Sequence, residues 1–202
     1  MPEFSSDVLE VLRQPMEAKR VQIARSQGIY TYPADFMLVC AMNPCPCGYY
    51  PDKNRCNCSE TDIRRYLGRI SGPVLDRIDI VTETSPVTIQ DFHQKHTGEN
   101  TETIRKRVME ARNLQKIRYR GTPYQFNGEL PGRDVEKFCP LSHKEQQFLE
   151  QVADTGQMSA RAYHKVIKLA RTIADLAGKE EINTGHLAEA VCYNSGRKRF
   201  WN

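Results

Sequence analysis

Two cysteine pairs, Cys45-x-Cys47 and Cys56-x-Cys58, constrain the fold of this chain more than any other feature of its sequence. The eight residues between the pairs include four that favour turns: Gly48, Pro51, Asp52 and Asn54. A turn there would bring together four thiols, which suit a structural zinc ion and leave no coordination position open for water. The spacing therefore predicts a structural zinc loop at residues 45–58, with free thiols and a redox pair or iron–sulfur cluster as the alternatives.

The sequence indicates a reducing compartment and gives no sign of a membrane span. Seven cysteines, an odd number, in a chain that opens with the acidic and polar stretch MPEFSSDVLE favour a metal site over a disulfide framework. That opening does not resemble a signal peptide, and no apolar run approaches the roughly 18 residues that a membrane span needs. We therefore expect a cytoplasmic protein that has no membrane partner.

Apolar patterning predicts a partial α/β region in residues 1–88. Short apolar stretches on either side of Gly28 indicate a β-hairpin at residues 21–32, because glycine can adopt the positive φ of a tight turn. Residues 36–42 and 78–81 are continuously apolar, which is typical of parallel strands buried on both faces. Two such strands make a poor sheet, so we interpret residues 1–88 as the later part of an α/β domain.

Beyond a linker at residues 89–100, the pattern predicts helices only. The first helix has an apolar face that consists of Ile104, Val108, Ala111 and Leu114. A later helix begins at the capping residue Ser159, and the last begins near Thr184 and ends before Gly196. The expected fold class is therefore a partial α/β core followed by an all-α domain.

Positive charge is concentrated at the start of the helical region. Between Ile104 and Arg120 there are seven Lys/Arg residues, among them Arg105 and Arg112, and one Glu, whereas the whole chain has a net charge of only +4. Such a segment is either a solvated helix face or a surface that follows the phosphates of a nucleic acid. Both interpretations stay open on the sequence alone.

Two polar residues lie where a nucleotide or another anion can bind. Asn43 follows the predicted strand at residues 36–42, and ligands of open α/β sheets bind outside the carboxyl ends of the strands. A turn-capping asparagine is the alternative. Arg161 lies in the first turn of a predicted helix, where the dipole disfavours a cation by about 0.3–1 kcal/mol unless the cation faces an anion. A plain surface arginine is the alternative there.

Three stretches carry a resemblance to a known family: MNPCPCGYY from Met42, DIRRYLGRISGPVLDRIDI from Asp62 and SARAYHKVIKLARTIADLAG from Ser159. Together they resemble the magnesium-chelatase-like AAA+ ATPases of the ComM type, and less closely the ATPase subunit of true magnesium chelatase and the MCM helicases. The resemblance covers nearly the whole chain. It implies that residues 1–88 follow the Walker A and Walker B segments of an AAA+ core, and that residues 101–202 form its helical lid.

The resemblance also implies roles for three residues. Asn43 would be sensor 1, which orients the attacking water, and Arg161 would be sensor 2. Arg77 would be the arginine finger, which stabilises transition-state charge on the ATP of a neighbouring subunit. Without the resemblance, the simplest interpretation of Arg77 is a local ion pair with Asp76 or Asp79.

The whole protein implied by the resemblance is a hexameric ring that uses ATP and Mg²⁺ to move DNA, as in branch migration during natural transformation. The tip of its hairpin, with Arg25 and Gln27, would contact DNA phosphates in the ring pore. This chain alone is not expected to hydrolyse ATP, because it lacks the phosphate-binding loop and the acids that hold Mg²⁺. The alternatives are the ATPase subunit of a metal chelatase and a non-enzymatic zinc-containing module that binds nucleic acid.

Overall fold

The computed structural model of this protein describes residues 1–84 and 98–201. The described residues form two compact units, built mainly from Met1–Ile78 and from Asp79–Gly196. Residues 89–97 of the predicted linker lie outside the described residues, and the domain limits predicted at residues 88 and 101 stay predictions.

The first unit consists of short helices and a β-hairpin: α1 (Ser6–Val11), α2 (Arg13–Ala18), β1 (Arg20–Arg25), β2 (Gly28–Pro33), α3 (Glu60–Leu67) and α4 (Gly72–Leu75). The hairpin confirms the prediction from the sequence. Its strands pair antiparallel with Ala24 opposite Ile29, and Gly28 has a φ of 148°. All of β2 is exposed, so the hairpin is a ribbon that extends into solvent.

The two predicted parallel strands are not formed, which corrects that part of the sequence analysis. Residues 36–42 and 78–81 belong to no sheet, and β1 and β2 make up the only sheet among the residues that the structure describes. Met37 and Val39, expected inside, are 88% and 84% exposed. A parallel strand is ordered only when neighbouring strands take up its backbone hydrogen bonds, and the described residues contribute no such neighbours.

A small apolar core holds the first unit together and consists of Leu9, Ile70, Val74 and Leu75. Two of its helices begin at serine caps: the hydroxyls of Ser59 and Ser71 accept hydrogen bonds from backbone N–H groups in the first turns of α3 and α4. The hydroxyl of Ser71 also donates to the Glu10 carboxylate. The start of α4 is therefore tied to α1.

The second unit is helical: α5 (Thr101–Arg118), a 3₁₀ turn (Asn127–Glu129), α6 (Gly132–Phe138), α7 (His143–Val152), a π turn (Ala153–Gln157), α8 (Ala160–Leu176) and α9 (Thr184–Trp201). A partial α/β core and a helical region, the fold class predicted from the sequence, are both present. The last helix begins at Thr184 as predicted but continues past Gly196, because a glycine weakens a helix by only about 1 kcal/mol. None of the described helices combines the length and the apolar character that crossing a bilayer requires.

The second unit has a larger core, with α8 at its centre. Its most deeply buried members, each no more than 1% exposed, are Val135, Cys139, Leu149, Val166, Ala170, Ala174, Leu187 and Ala190. A buried carboxylate lies beside this core. Asp175 accepts hydrogen bonds from Arg118 at 2.8 Å, from Asn127 at 2.9 Å and from Arg171 at 3.1 Å. The network links α8 to α5 and to the 3₁₀ turn.

The apolar face predicted for α5 is only partly correct. Ala111 is buried, but Ile104 and Val108 are 42% and 41% exposed. The inward face instead carries Gln115, whose side-chain oxygen accepts a hydrogen bond of 3.1 Å from the Asn127 backbone. The inward face of α5 was predicted incorrectly from the spacing of apolar residues, because some of its inward contacts are polar.

Candidate functional site

The four cysteine thiols of the predicted zinc loop lie together in the first unit. The Sγ atom of Cys45 is 3.3 Å from that of Cys47 and 3.7 Å from that of Cys56. With Cys58 included, the four sulfurs all lie within 4.8 Å of one another. Sulfurs bound at about 2.3 Å to a tetrahedral zinc ion would be roughly 3.8 Å apart, so the cluster fits the ion that the sequence predicts.

Turns between the two pairs bring the thiols together. Gly48 has a φ of 83°, and its N–H donates to the Cys45 carbonyl at 3.0 Å. Asp52 closes the next turn: its carbonyl accepts from the Cys56 N–H at 2.8 Å, and its carboxylate accepts from the Asn54 N–H at 3.0 Å. The turn residues identified in the sequence therefore do shape the loop.

The clustered thiols and nearby backbone groups shift one another's pKa values. A hydrogen bond with the backbone of Tyr49 and further hydrogen bonds with the other thiols lower the pKa of Cys47 to about 6. A hydrogen bond with the backbone of Cys47 favours the thiolate of Cys58, but burial and the neighbouring sulfurs outweigh it and raise its pKa to about 12. Thiolates this close together would repel one another. A bound cation offsets that repulsion, because it binds cysteines in their thiolate form.

Asn43 lies two residues before Cys45, the first residue of the cysteine loop, and is exposed. A Cβ atom at Gly48 would lie 3.7 Å from the Asn43 amide, so the amide rests against the first turn of the loop. The backbone of Asn43 is hydrogen-bonded to the phenol of Tyr66, a buried residue of α3. The loop and α3 thus fix the position of Asn43 while its amide faces solvent.

Arg77 follows α4 and is folded back onto the first unit. Its Nη1 donates to the Pro73 carbonyl, and its Nη2 pairs with the carboxylate of Glu17 on α2. The local interpretation favoured Asp76 or Asp79 as the partner, and Asp79 is instead paired with Lys165 at 2.8 Å. No sequence pattern pointed to Glu17 as the partner, because Glu17 and Arg77 are 60 residues apart.

Arg161 lies in the first turn of α8 and is exposed, as predicted. The hydroxyl of Ser159 caps this helix by accepting a hydrogen bond of 3.2 Å from the Ala162 N–H. Arg161 belongs to the second unit, whereas Asn43 and Arg77 belong to the first.

The predicted DNA-binding residues of the hairpin lie at an accessible tip. Arg25 pairs with Gly28 in the strand register, and Ser26 and Gln27 form the turn between them. Both Arg25 and Gln27 are exposed. A short basic and polar tip on an exposed ribbon can contact phosphates without reading sequence.

The basic segment of α5 offers less free positive charge than its sequence indicates. Arg107 forms two hydrogen bonds of 2.8 Å with Glu99, and Arg118 is paired with the buried Asp175. Arg105 and Arg112 are exposed, and the Arg112 guanidinium lies 4.7 Å from the centre of the Phe126 ring. A phosphate-binding surface on α5 would therefore depend on the remaining cations.

Comparison with protein families matches the chain in two consecutive parts. The family model described as magnesium chelatase, subunit ChlI, matches residues 1–92, and the model described as the C-terminal region of the same subunit matches residues 98–194. The chain belongs to the magnesium-chelatase-like family. This confirms the resemblance seen in the three sequence motifs.

Within this family, the chain is similar to proteins of the ComM type. It is 40% identical over 198 residues to competence protein ComM of Haemophilus influenzae. It is 38% identical over the same number of residues to the uncharacterized protein YifB of Salmonella typhimurium. Both alignments cover 96% of this chain but only 38% of the relative, so the chain spans little more than a third of the length of these proteins.

Proposed function

We propose that this chain is the sensor-bearing part of a cytoplasmic AAA+ ATPase of the ComM type. In this proposal, copies of the protein form a hexameric ring that uses ATP and Mg²⁺ to drive DNA branch migration in natural transformation. The observation that carries the proposal is the ordered match to both family models, joined to 40% identity with a competence protein.

Three residues would act on the triphosphate. The Asn43 amide would orient the attacking water as sensor 1, and Arg161 would bind a phosphate oxygen at the start of α8 as sensor 2. Arg77 would reach the ATP of a neighbouring copy and stabilise the charge that develops as the γ-phosphoryl group transfers. The exposed amide of Asn43 and the exposed guanidinium of Arg161 support these roles.

The cysteine loop would hold one zinc ion through Cys45, Cys47, Cys56 and Cys58. Four sulfur ligands give zinc a closed, tetrahedral site, so its role would be structural rather than catalytic. The loop begins next to Asn43 and leads into α3, which carries the buried Tyr66. Zinc would thereby stabilise the position of the sensor 1 amide.

DNA would be contacted through its phosphates. The hairpin tip with Arg25 and Gln27 would make these contacts in the ring pore, and Arg105 and Arg112 on α5 would provide a second basic surface. Because both sets offer side chains suited to phosphates, we propose binding that does not depend on sequence and weakens as salt increases.

The proposal is tested by replacing the two arginines in a full-length protein that also carries the Walker segments. We expect Arg77→Ala to lower kcat for ATP hydrolysis by roughly 10³-fold, because an arginine finger acts on the transition state. Arg161→Ala should lower it as well. Arg64→Ala is the control, since Arg64 is 84% exposed and pairs only loosely with Glu60, at 3.7 Å. Unchanged hydrolysis in both test variants would contradict the motor and favour the nucleic-acid-binding module.

A metal chelatase subunit is the second candidate, and the descriptions of both family models favour it. The four-cysteine loop argues against it, since the resemblance places this loop in the ComM group rather than in true chelatase subunits. The full-length protein separates the two: a DNA motor moves a branched DNA substrate, whereas a chelatase motor supports insertion of Mg²⁺ into a porphyrin and leaves the DNA unchanged.

A further inference from the structure

Arg77 is held by contacts that leave it incompletely satisfied. Glu17 and the Pro73 carbonyl engage its two Nη atoms, but its Nε atom is buried without a hydrogen-bond partner among the described residues. The side chain as a whole is only 14% exposed. A buried N–H that lacks a partner destabilises the folded state, because it has given up its hydrogen bond to water.

Arg171, a structural arginine in the same chain, has a hydrogen-bond partner for each of its guanidinium nitrogens. The Arg171 side chain is 4% exposed. Its Nε donates to Asp175 at 3.1 Å, and its two Nη atoms donate to the carbonyls of Glu180 and Lys179 at 2.6 and 2.5 Å. Every nitrogen of Arg171 has a partner, whereas Arg77 has one without. The site of Arg77 is therefore a less complete binding site for a guanidinium.

The carboxylate that holds Arg77 is also easily exchanged. The Glu17 side chain is 62% exposed, so it can return to water at little cost. Glu10 is another acid near Arg77, and its carboxylate is already occupied by the Ser71 hydroxyl and by Arg13, at 2.7 Å from the latter. These two contacts, the Ser71 hydrogen bond first, lower the pKa of Glu10, while Arg77 makes the smallest contribution. Glu17 is the acid that forms a direct hydrogen bond and ion pair with the Arg77 guanidinium.

We propose that Glu17 is a positioning residue that keeps Arg77 docked against α2 until a phosphate of a nucleotide on a neighbouring copy replaces the carboxylate. The inference rests on the proposed function of Arg77. The exchange replaces one anion by another, and a guanidinium forms charge-assisted hydrogen bonds with phosphate oxygens as it does with carboxylate oxygens. While Arg77 stays paired with Glu17, it would not contact the ATP of the neighbouring copy. Docking would therefore restrain hydrolysis until two neighbouring copies are aligned for that contact.

The test is Glu17→Gln in the full-length ATPase, with Glu60→Gln as the matched control. Glu60 also pairs with an arginine, Arg64, but both side chains are more than four-fifths exposed and lie on α3. We expect Glu17→Gln to raise kcat for ATP hydrolysis roughly two- to fivefold, with KM unchanged, because the carboxylate of this ion pair is largely exposed and such pairs shift an equilibrium only modestly. Glu60→Gln should change neither, and the melting temperature confirms that both variants are folded.

The double variant Glu17→Gln/Arg77→Ala should have the kcat of Arg77→Ala alone, since Glu17 would act only through Arg77. A kcat that is unchanged or lowered in Glu17→Gln overturns the inference, and so does a gain that persists without Arg77. If Arg77→Ala abolishes hydrolysis while Glu17→Gln has no effect, the proposed function stands and only the docking role is lost. If Arg77→Ala keeps full activity, the role of Arg77 itself is wrong.

Discussion

One buried carboxylate organises the polar part of the helical unit. Asp175 is 2% exposed and lies between Arg118 and Arg171. Burial alone would raise its pKa, but hydrogen bonds from Arg118 and Asn127 and the charges of both arginines lower it below the ordinary value. Asp175 is therefore ionised in the folded protein. It stabilises the fold above the unfolded pKa of about 3.9, and this stabilisation is lost as the pH falls through the lower folded pKa.

We predict that Asp175→Asn lowers the free energy of unfolding at pH 7 by about 3–5 kcal/mol, because it leaves the buried Arg171 and the partly buried Arg118 without their anion. Urea unfolding of the chain measures this loss. The difference from the unchanged protein should shrink as the pH falls below about 4, because the carboxyl is protonated first in the unfolded state and, at lower pH, in the folded state as well. Asp154→Asn, at an exposed position of the second unit, serves as the control. An equal loss at pH 3 and pH 7 would show that the charge is not responsible.

At the scale of single residues, the sequence located the candidates but not their partners. Arg161 and Asn43 are exposed where the motifs placed them. The pairs Glu17–Arg77 and Asp175–Arg118 were missed because the two residues of each pair are 57 or more positions apart, and only the fold brings such residues together. An ion pair between distant helices leaves no periodic trace in a sequence.

Among the elements, the cysteine loop was the most predictable, because its geometry depends on nearby turn residues. The hairpin was predictable for the same reason: Gly28 and the flanking apolar residues specify it locally. Residues 36–42 were mispredicted as a strand because strand formation depends on partners, and apolar content alone does not supply them. Turn-forming residues therefore predicted the elements of the first unit better than runs of apolar residues did.

For the cysteine loop, we predict about one zinc ion per chain, lost on substitution Cys47→Ser. The first unit of the variant should also melt at a lower temperature, with a shift of roughly 4–8 °C for each kcal/mol of stability lost by a unit of this size. Metal analysis and thermal unfolding measure the two effects. Cys40→Ser is the control, because Cys40 is exposed and lies outside the cluster. Unchanged metal content and melting temperature in Cys47→Ser would rule out a structural zinc site at these thiols.

At the scale of the whole molecule, the two units have cores of very different size. Among the described residues, the core cluster of the first unit contains four buried residues, whereas that of the second contains twelve. Stability on folding increases with the apolar area that is buried. The first unit is therefore expected to be much the less stable when it has no metal.

We predict that the metal-free chain unfolds in two thermal steps, the first unit before the second. Adding zinc should raise the temperature of the first step and leave the second nearly unchanged, because the four clustered thiols all belong to the first unit. Differential scanning calorimetry with and without a chelator measures both steps. A single transition whose calorimetric and van't Hoff enthalpies agree would contradict this prediction.

The bare segment at residues 36–42 has a practical consequence for anyone who handles this chain. The side chains of Phe36, Met37 and Val39 are exposed, and the backbone of the segment belongs to no sheet. The unpaired backbone of such a segment can form hydrogen bonds with a strand of a second molecule. The chain should therefore self-associate in concentrated solution. We expect this seven-residue segment, rather than the overall charge, to limit its solubility.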